Sequence, residues 1–226
     1  MAQSETPRAR VGVRITILYG GTFDPIHNGH VAIALAAMAE FNTDVTMIPS
    51  ADPPHRPPTS ATALQRAEMV DLAIADFPGL HCNRRELNRH GKSYSVLTLR
   101  EVRAEIGSQA PLAWLIGSDA FSQIDTWQDW QSLFTLAHFI VVERPGQPLA
   151  EANSSLQDFC RRRWRQTPQA LQEQPAGLLY RLPIPQRAES STRIRSTLAE
   201  KPLMNADLAP AVAAYIGRHG LYASRV

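Results

Sequence analysis

Short apolar runs alternate with amphipathic stretches along most of this chain. Six of the runs have the length and the β-branched or aromatic content of strands, and most are separated by segments of helical periodicity. The predicted strands are Ile15–Leu18, Val45–Pro49, Leu80–Arg84, Leu112–Ile116, Phe139–Val142 and Leu178–Leu182. The predicted helices are Gly29–Glu40, Ala63–Ala75, Ser95–Ile106, Trp127–Thr135, Leu149–Arg165, Thr192–Leu198 and Ala209–Arg218. This alternation predicts an α/β fold built on a parallel sheet.

Length and composition favour one folded unit. The chain has 226 residues, 44% of them hydrophobic, which is enough to bury a substantial core. Residues 1–12 mix Ser, Glu, Pro and Arg and are predicted to form a flexible tail. Residues 13–226 are predicted to form a single domain, whose last part, residues 187–226, is helical.

Charge and cysteine content narrow the functional classes. The net charge of +2 argues against a nucleic-acid partner, unless the local patch Arg161–Arg165 binds one. Such a charge run is ordinarily the solvated end of a helix. Cys82 and Cys160 lie far apart, without the spacing of a zinc site or a disulfide framework. No run reaches the roughly 20 apolar residues of a membrane helix, so we expect a cytoplasmic protein without a membrane partner.

One turn carries the strongest chemical signal. Gly20 and Gly21 follow the first predicted strand, and His27 and His30 flank the start of the first predicted helix. Glycine lets a backbone approach an anion, and a helix start offers N–H groups and a positive dipole end. The turn therefore favours phosphate. A zinc site would use the same histidines, but the neighbourhood adds only Asp24 as a further ligand.

A second anion-binding segment lies near the C-terminus. Ser191 and Thr192 precede or begin a predicted helix, and Arg193 and Arg195 lie in its first turn. Arginines there oppose the helix dipole unless an anion lies between them. Hydroxyl groups, amides and the Arg195 fork would together suit a phosphate.

Five motifs, taken in order, resemble the nicotinate-nucleotide adenylyltransferases of bacteria, members of the nucleotidylyltransferase superfamily with the HxGH signature. The resemblance runs from about Ile15 to Tyr222. The segments that carry it are Gly20–His30, Pro53–Arg56, Gly91–Ser95, Ile116–Asp119 and Ser190–Arg195. It implies a Rossmann-like doubly wound parallel sheet with a small C-terminal helical extension.

The resemblance also implies a reaction and a set of site residues. AMP would pass from ATP to nicotinate mononucleotide, with Mg²⁺ bound to the ATP phosphates and no metal ligand from the protein. The implied catalytic residues are His27, His30 and Arg195. The implied ATP and phosphate site consists of Gly20, Gly21, Thr22, Phe23, Arg56, Gly117, Asp119, Ser191, Thr192 and Ile194. The implied nicotinate mononucleotide site consists of Tyr94, Ser95 and Trp127.

Other interpretations stay open at this stage. The same fold could adenylylate nicotinamide mononucleotide or phosphopantetheine, since only the region of Tyr94, Ser95 and Trp127 distinguishes the acceptors. A non-catalytic nucleotide or RNA-binding module would use Arg161–Arg165 but leaves both histidines unexplained. Trp127 could instead be a core residue at a helix start. Neither a homo-oligomer nor a monomer is favoured by the sequence.

Overall fold

The computed structural model describes residues 14–54, 59–143, 154–184, 189–200 and 206–223. Its centre is a seven-stranded parallel sheet in the order β3-β2-β1-β4-β5-β7-β6. The strands are β1 Thr16–Gly21, β2 Val45–Pro49, β3 Leu80–Cys82, β4 Leu112–Gly117, β5 His138–Val142, β6 Trp164–Arg165 and β7 Leu179–Arg181. The order reverses between β1 and β4, which is where ligands bind in doubly wound sheets. The predicted fold class is confirmed.

Helices connect the strands and cover both faces of the sheet. Their bounds are α1 Asn28–Phe41, α2 Ala63–Ile74, α3 Ser95–Ile106, α4 Ser118–Phe121, α5 Trp130–Leu136, α6 Ser154–Cys160, α7 Gln169–Gln172, α8 Ser191–Glu200 and α9 Pro210–His219. A short 3₁₀ turn spans Ile124–Thr126. Residues 1–12, predicted to be a flexible tail, lie outside the described residues.

Alternating strand residues supply two separate cores. In β1, Ile17 and Tyr19 pack in one core, whereas Leu18 packs in the other. The same alternation holds in β4, where Leu115 faces the first core and Trp114 the second. The period of two is that of a strand buried on both faces. Helices α1, α2, α8 and α9 cover the first face, and α3, α5 and α6 cover the second.

Two helix predictions were wrong at their ends. Within the range Leu149–Arg165 predicted as one helix, the described residues form only the shorter helix α6. Residues 164–165 instead form the edge strand β6 beside β7. Residues 149–153 of that prediction lie outside the described residues. The helix predicted to begin at Trp127 begins at Trp130, because the chain first forms a 3₁₀ turn and Asp129 adopts a left-handed conformation with φ of 51°.

Candidate functional site

The two histidines of the turn after β1 stack on each other at the start of α1. Their ring centroids lie 3.7 Å apart, and His27 and His30 are 3% and 8% exposed. The backbone N–H of His27 donates to Nδ1 of His30 over 3.3 Å. A neutral His30 that accepts a hydrogen bond at Nδ1 carries its proton on Nε2.

The glycines ahead of the histidines are required by packing inside the protein. A Cβ on Gly20 would lie 2.0 Å from the Trp114 ring, and one on Gly21 would lie 2.7 Å from the Phe23 ring. Phe23 itself has a positive φ of 50° and packs edge-on against His30 at 5.1 Å. These contacts give the glycines a structural role whether or not their amides meet an anion.

The N-terminal amides of α1 are only partly available to an anion. The N–H of Asn28 donates to the carbonyl of Asp207 over 2.8 Å, and its side-chain amide donates to the carbonyl of Ala206. The helix start is thus held by the chain that leads into α9. The idea that free N–H groups near Asn28 bind phosphate therefore does not hold for Asn28 itself.

Asp24 fastens the turn to two other segments. Its carboxylate accepts the N–H groups of Ser60 and Ala61, which precede α2, at 3.2 and 3.4 Å. It also accepts the hydroxyl of Tyr222, near the C-terminus, at 2.8 Å. The buried carboxylate and burial itself both raise the pKa of Tyr222, with burial the larger effect, so the phenol stays a donor. Asp24 therefore fixes the turn by accepting hydrogen bonds from two other segments.

Helix α8 docks directly on this turn, so two segments far apart in sequence lie in contact. Ser191 donates its hydroxyl proton to the carbonyl of Pro25 over 3.0 Å. Arg195 donates to the carbonyl of Asp24 over 2.7 Å and lies 3.4 Å from the hydroxyl of Thr192. Ile194 is fully buried in the first core, and its backbone N–H donates to the carbonyl of Ser190 over 2.9 Å.

The predicted acceptor residues also lie at the carboxyl edge of the sheet. Tyr94 is the N-cap of α3 and Ser95 its first residue, so the amide end of a three-turn helix opens beside them. Tyr94 is half-buried against the second core. A helix that follows a strand in a parallel sheet begins at the carboxyl ends of the strands, which is the edge occupied by the histidines.

The end of β4 completes this edge. Gly117 is the last residue of β4 and the N-cap of α4, and Asp119 lies half-buried in the first turn of α4. Trp127 follows the 3₁₀ turn and is half-buried against the second core. Trp127 therefore packs on the core, as the alternative interpretation expected, but it does not begin a helix. Thr22 lies in the turn after β1, where its carbonyl accepts a hydrogen bond from Arg66. Arg56 lies outside the described residues.

Sequence comparison places these motifs in a known group. The profile of the cytidylyltransferase-like family matches residues 18–197. A protein of Stenotrophomonas maltophilia named probable nicotinate-nucleotide adenylyltransferase is 49% identical over 216 residues, covering 93% of this chain and 97% of that protein. A protein of the same name from Xylella fastidiosa is 42% identical over 211 residues, covering 91% and 95%. This chain belongs to the nicotinate-nucleotide adenylyltransferase family.

Solved structures agree with the family on the fold. The nicotinic acid mononucleotide adenylyltransferase of Plasmodium falciparum complexed with NaAD superposes with a TM-score of 0.66 at 18% identity, over 92% of this chain and 97% of that one. The same enzyme complexed with APC gives a TM-score of 0.63 at 19% identity, with the same coverage. No helix among the described residues of this family member is long and apolar enough to cross a membrane.

The arginine patch of this adenylyltransferase family member borders a cavity of about 730 Å³, whose lining includes neither His27 nor His30. Several of its donors are used within the chain. Arg163 stacks on Phe159 at 4.3 Å and donates to the carbonyl of Gly177 over 3.0 Å. Arg161 pairs with Asp158, and Arg165 donates to the carbonyl of Trp164. These contacts agree with a structural, solvated patch.

Sequence reasoning assigned no role to two residues that border the site, Arg66 and Ser93. Arg66 is fully buried on the apolar face of α2, in register with Met69 and Val70 at helical spacings of three and four. An arginine on such a face is a detectable signal, because a buried charge needs partners. Ser93 lies within the Gly91–Ser95 motif, but its contacts depend on tertiary structure.

Proposed function

We propose that this chain transfers AMP from ATP to nicotinate mononucleotide, giving nicotinate adenine dinucleotide and pyrophosphate. An oxygen of the acceptor's 5′-phosphate attacks the α-phosphorus of ATP. The bond from that phosphorus to the oxygen bridging to the β-phosphate breaks, and pyrophosphate leaves with the electron pair. The attacking phosphate is already an anion at neutral pH, so the protein's task is alignment and stabilisation of charge.

The docking of α8 on the histidine turn is the observation that carries the phosphate half of the proposal. Arg195 bonds to the backbone of the same turn that presents His27 and His30. One ligand can therefore meet imidazole, guanidinium and hydroxyl donors together. We assign the histidines to the α- and β-phosphates, and Thr192 and Arg195 to the β- and γ-phosphates, with Arg56 as a further predicted contact.

The acceptor half rests on the start of α3 and on the relatives. The amide end of α3, beside Tyr94 and Ser95, suits the carboxylate of a nicotinate ring. Trp127 offers an aromatic face on the same edge of the sheet. Relatives of 42–49% identity carry the name of a nicotinate-nucleotide adenylyltransferase, which favours the acid over the other acceptors.

We also propose that Mg²⁺ accompanies ATP. Around the turn, the described donors are imidazole, guanidinium and hydroxyl groups, and the carboxylate of Asp24 already accepts three hydrogen bonds. This donor set suits phosphate oxygens, and the metal would be held by the phosphates themselves. When bound, Mg²⁺ screens phosphate charge during attack and departure.

A reducing, cytoplasmic location belongs to the same proposal. Cys82 and Cys160 are both free thiols. Burial raises their pKa values to about 12 and about 11, which keeps both protonated and poorly reactive. Free thiols are typical of the cytoplasm.

The test is a pyrophosphate-release assay with ATP and three acceptors in parallel. We expect turnover with nicotinate mononucleotide to exceed turnover with nicotinamide mononucleotide and with phosphopantetheine. A preference for either of the latter would assign another acceptor to the same chemistry. ATP binding without release of pyrophosphate from ATP in the presence of any of the three acceptors would instead indicate a nucleotide-binding module.

A further inference from the structure

Arg66 joins the turn after β1 to the loop after β2. The side chain is fully buried, and its guanidinium donates to the carbonyl of Thr22 over 2.5 Å and to the carbonyl of Ala51 over 3.1 Å. Burial lowers the pKa of Arg66, while the nearby Asp24 carboxylate acts in the opposite direction. A planar fork with several donors can satisfy two carbonyl groups on different loops at once, which an ammonium on a lysine does less well.

Ser93 holds the same loop from the other side. Its hydroxyl accepts the N–H groups of Ala51 and Asp52 at 2.9 and 3.1 Å. Its own N–H donates to the carbonyl of Asp52 over 2.9 Å, and Lys92 pairs with the Asp52 carboxylate at 2.8 Å. Ser93 directly precedes Tyr94 and Ser95, so the acceptor segment is tied to the loop after β2.

Together these bonds form a continuous connection across the site. It runs from the carbonyl of Thr22 through Arg66 to Ala51, and from Ala51 and Asp52 through Ser93 to Tyr94. One end lies in the predicted ATP segment and the other in the predicted acceptor segment. We name this connection the Arg66–Ser93 bridge.

We propose that Arg66 and Ser93 are positioning residues, which fix the separation between the ATP turn and the acceptor segment. The inference rests on the proposed function, because it concerns how two bound phosphates are aligned. Transfer between them requires a near-attack geometry, and a misplacement of about 1 Å can cost about a hundredfold in rate. Each half-site keeps its own substrate contacts when the bridge is weakened, so the rate should fall more than affinity does.

The first experiment uses the variant Ser93→Ala. We expect kcat to fall about tenfold, while the dissociation constants of ATP and of nicotinate mononucleotide, measured by calorimetry, stay within about twofold. Ser93→Thr keeps the hydroxyl and should recover most of the rate. Thr43→Val is the matched control, because Thr43 bonds the carbonyl of Ile15 at the opposite edge of the sheet and its loss should leave kcat unchanged.

The second experiment uses Arg66→Lys with Arg103→Lys as its control. Arg103 also connects separate backbone carbonyls, those of Leu136 and Pro175, but at the amino edge of the sheet. Both variants should lower the melting temperature. Only Arg66→Lys should also lower kcat of the folded enzyme. If kcat falls by a similar factor in Arg66→Lys and Arg103→Lys, the bridge only stabilises the fold.

Amide hydrogen exchange gives a readout that does not need activity. Ser93→Ala should speed exchange at Ala51 and Asp52 at least fivefold, and Arg66→Lys should speed exchange at the same amides. Unchanged exchange in Ser93→Ala, or a loss of ATP or acceptor affinity equal to the loss of rate, would overturn the proposal. A wild-type protein that does not adenylylate nicotinate mononucleotide would overturn the proposed function, and exchange would still decide whether the bridge exists. If Arg66→Lys does not fold, the two Ser93 variants decide the outcome.

Discussion

Histidines lie at both edges of this sheet, and each of two of them accepts a backbone N–H at one ring nitrogen. His30 follows β1 at the carboxyl edge, and His138 begins β5 at the amino edge. Both accept a backbone N–H at Nδ1, from His27 over 3.3 Å and from Leu178 over 3.0 Å. The Nε2 group of His138 then donates to the carbonyl of Gln174 over 2.8 Å. His138 is thus a complete internal bridge with no exposed surface.

The difference teaches how to separate a structural histidine from a candidate catalytic one. His138 connects the start of β5 to the chain entering β7, and burial lowers its pKa to about 4, which keeps it neutral. His30 instead stacks on a second histidine at the edge where the strand order reverses. Burial alone does not distinguish the two residues. They are distinguished by their positions in the sheet topology and by the stacking of His30 on His27.

Replacing His30 should produce the largest effect on rate. We expect His30→Ala to lower kcat by about a hundredfold or more, the scale of losing one charge-stabilising donor. His30→Asn keeps an acceptor for the His27 N–H but does not extend a donor as far, so it should be equally slow. His219→Ala, beside Tyr215 on α9, should turn over normally. Near-normal kcat in both His30 variants would remove His30 from the reaction.

His138 should instead control stability as a function of pH. Its folded pKa of about 4 lies below the usual 6.5, so its stabilisation is complete above pH 6.5 and is lost as the pH falls towards 4. This difference in pKa should lower the free energy of unfolding by about 2 kcal/mol when the pH falls from 7 to 5.

Denaturant unfolding at the two pH values measures this dependence. His138→Gln keeps one acceptor and one donor but does not ionise, so it should lose that part of the pH dependence. His219→Gln is the control on an exposed residue. An unchanged pH dependence in His138→Gln would assign the effect to other groups.

The local pattern of hydrophobic and polar residues was sufficient to predict most of the strands and helices. The bounds of β2 and α3 were predicted to the residue, because each is a clean run flanked by turn-forming residues. The edge strand β6 was missed because it consists of two residues, Trp164 and Arg165, within an arginine-rich stretch that has no period of two. Pairing with β7 creates that strand, and pairing is a tertiary property.

The site was predictable as a set of motifs but not as an arrangement. The histidine turn and the Ser191–Arg195 segment each carry local phosphate signals, whereas their contact through Asp24 and Pro25 spans more than half of the chain. The Arg66 contacts were not predicted, because the backbone carbonyls that it meets carry no sequence signature. Residues that bind a ligand through their side chains form recognisable sequence motifs. Residues that position the backbone are much harder to recognise in the sequence.

Arg195 tests whether α8 belongs to the phosphate site. Arg195→Ala should raise the KM for ATP about tenfold, in keeping with the loss of one charge-assisted hydrogen bond. Arg193→Ala, on the same helix, breaks a pair with Asp207 instead and should leave that KM unchanged. Steady-state kinetics and melting temperatures should be measured on both variants. A loss of thermal stability in Arg195→Ala with no change in KM would make its bond to Asp24 purely structural.

Trp127 gives the smallest expected effect and the sharpest test of the acceptor pocket. Trp127→Ala should raise the KM for nicotinate mononucleotide about fivefold, the scale of an aromatic contact, and should leave the KM for ATP within about twofold. Trp130→Ala is the control, because Trp130 packs edge-on against Phe159 at 4.8 Å and its loss should lower stability without changing either KM. A larger rise in the KM for ATP than for the acceptor would move Trp127 out of the nicotinate pocket. Since Trp127 and Trp130 lie three residues apart against the same core, a difference between them isolates substrate contact from packing.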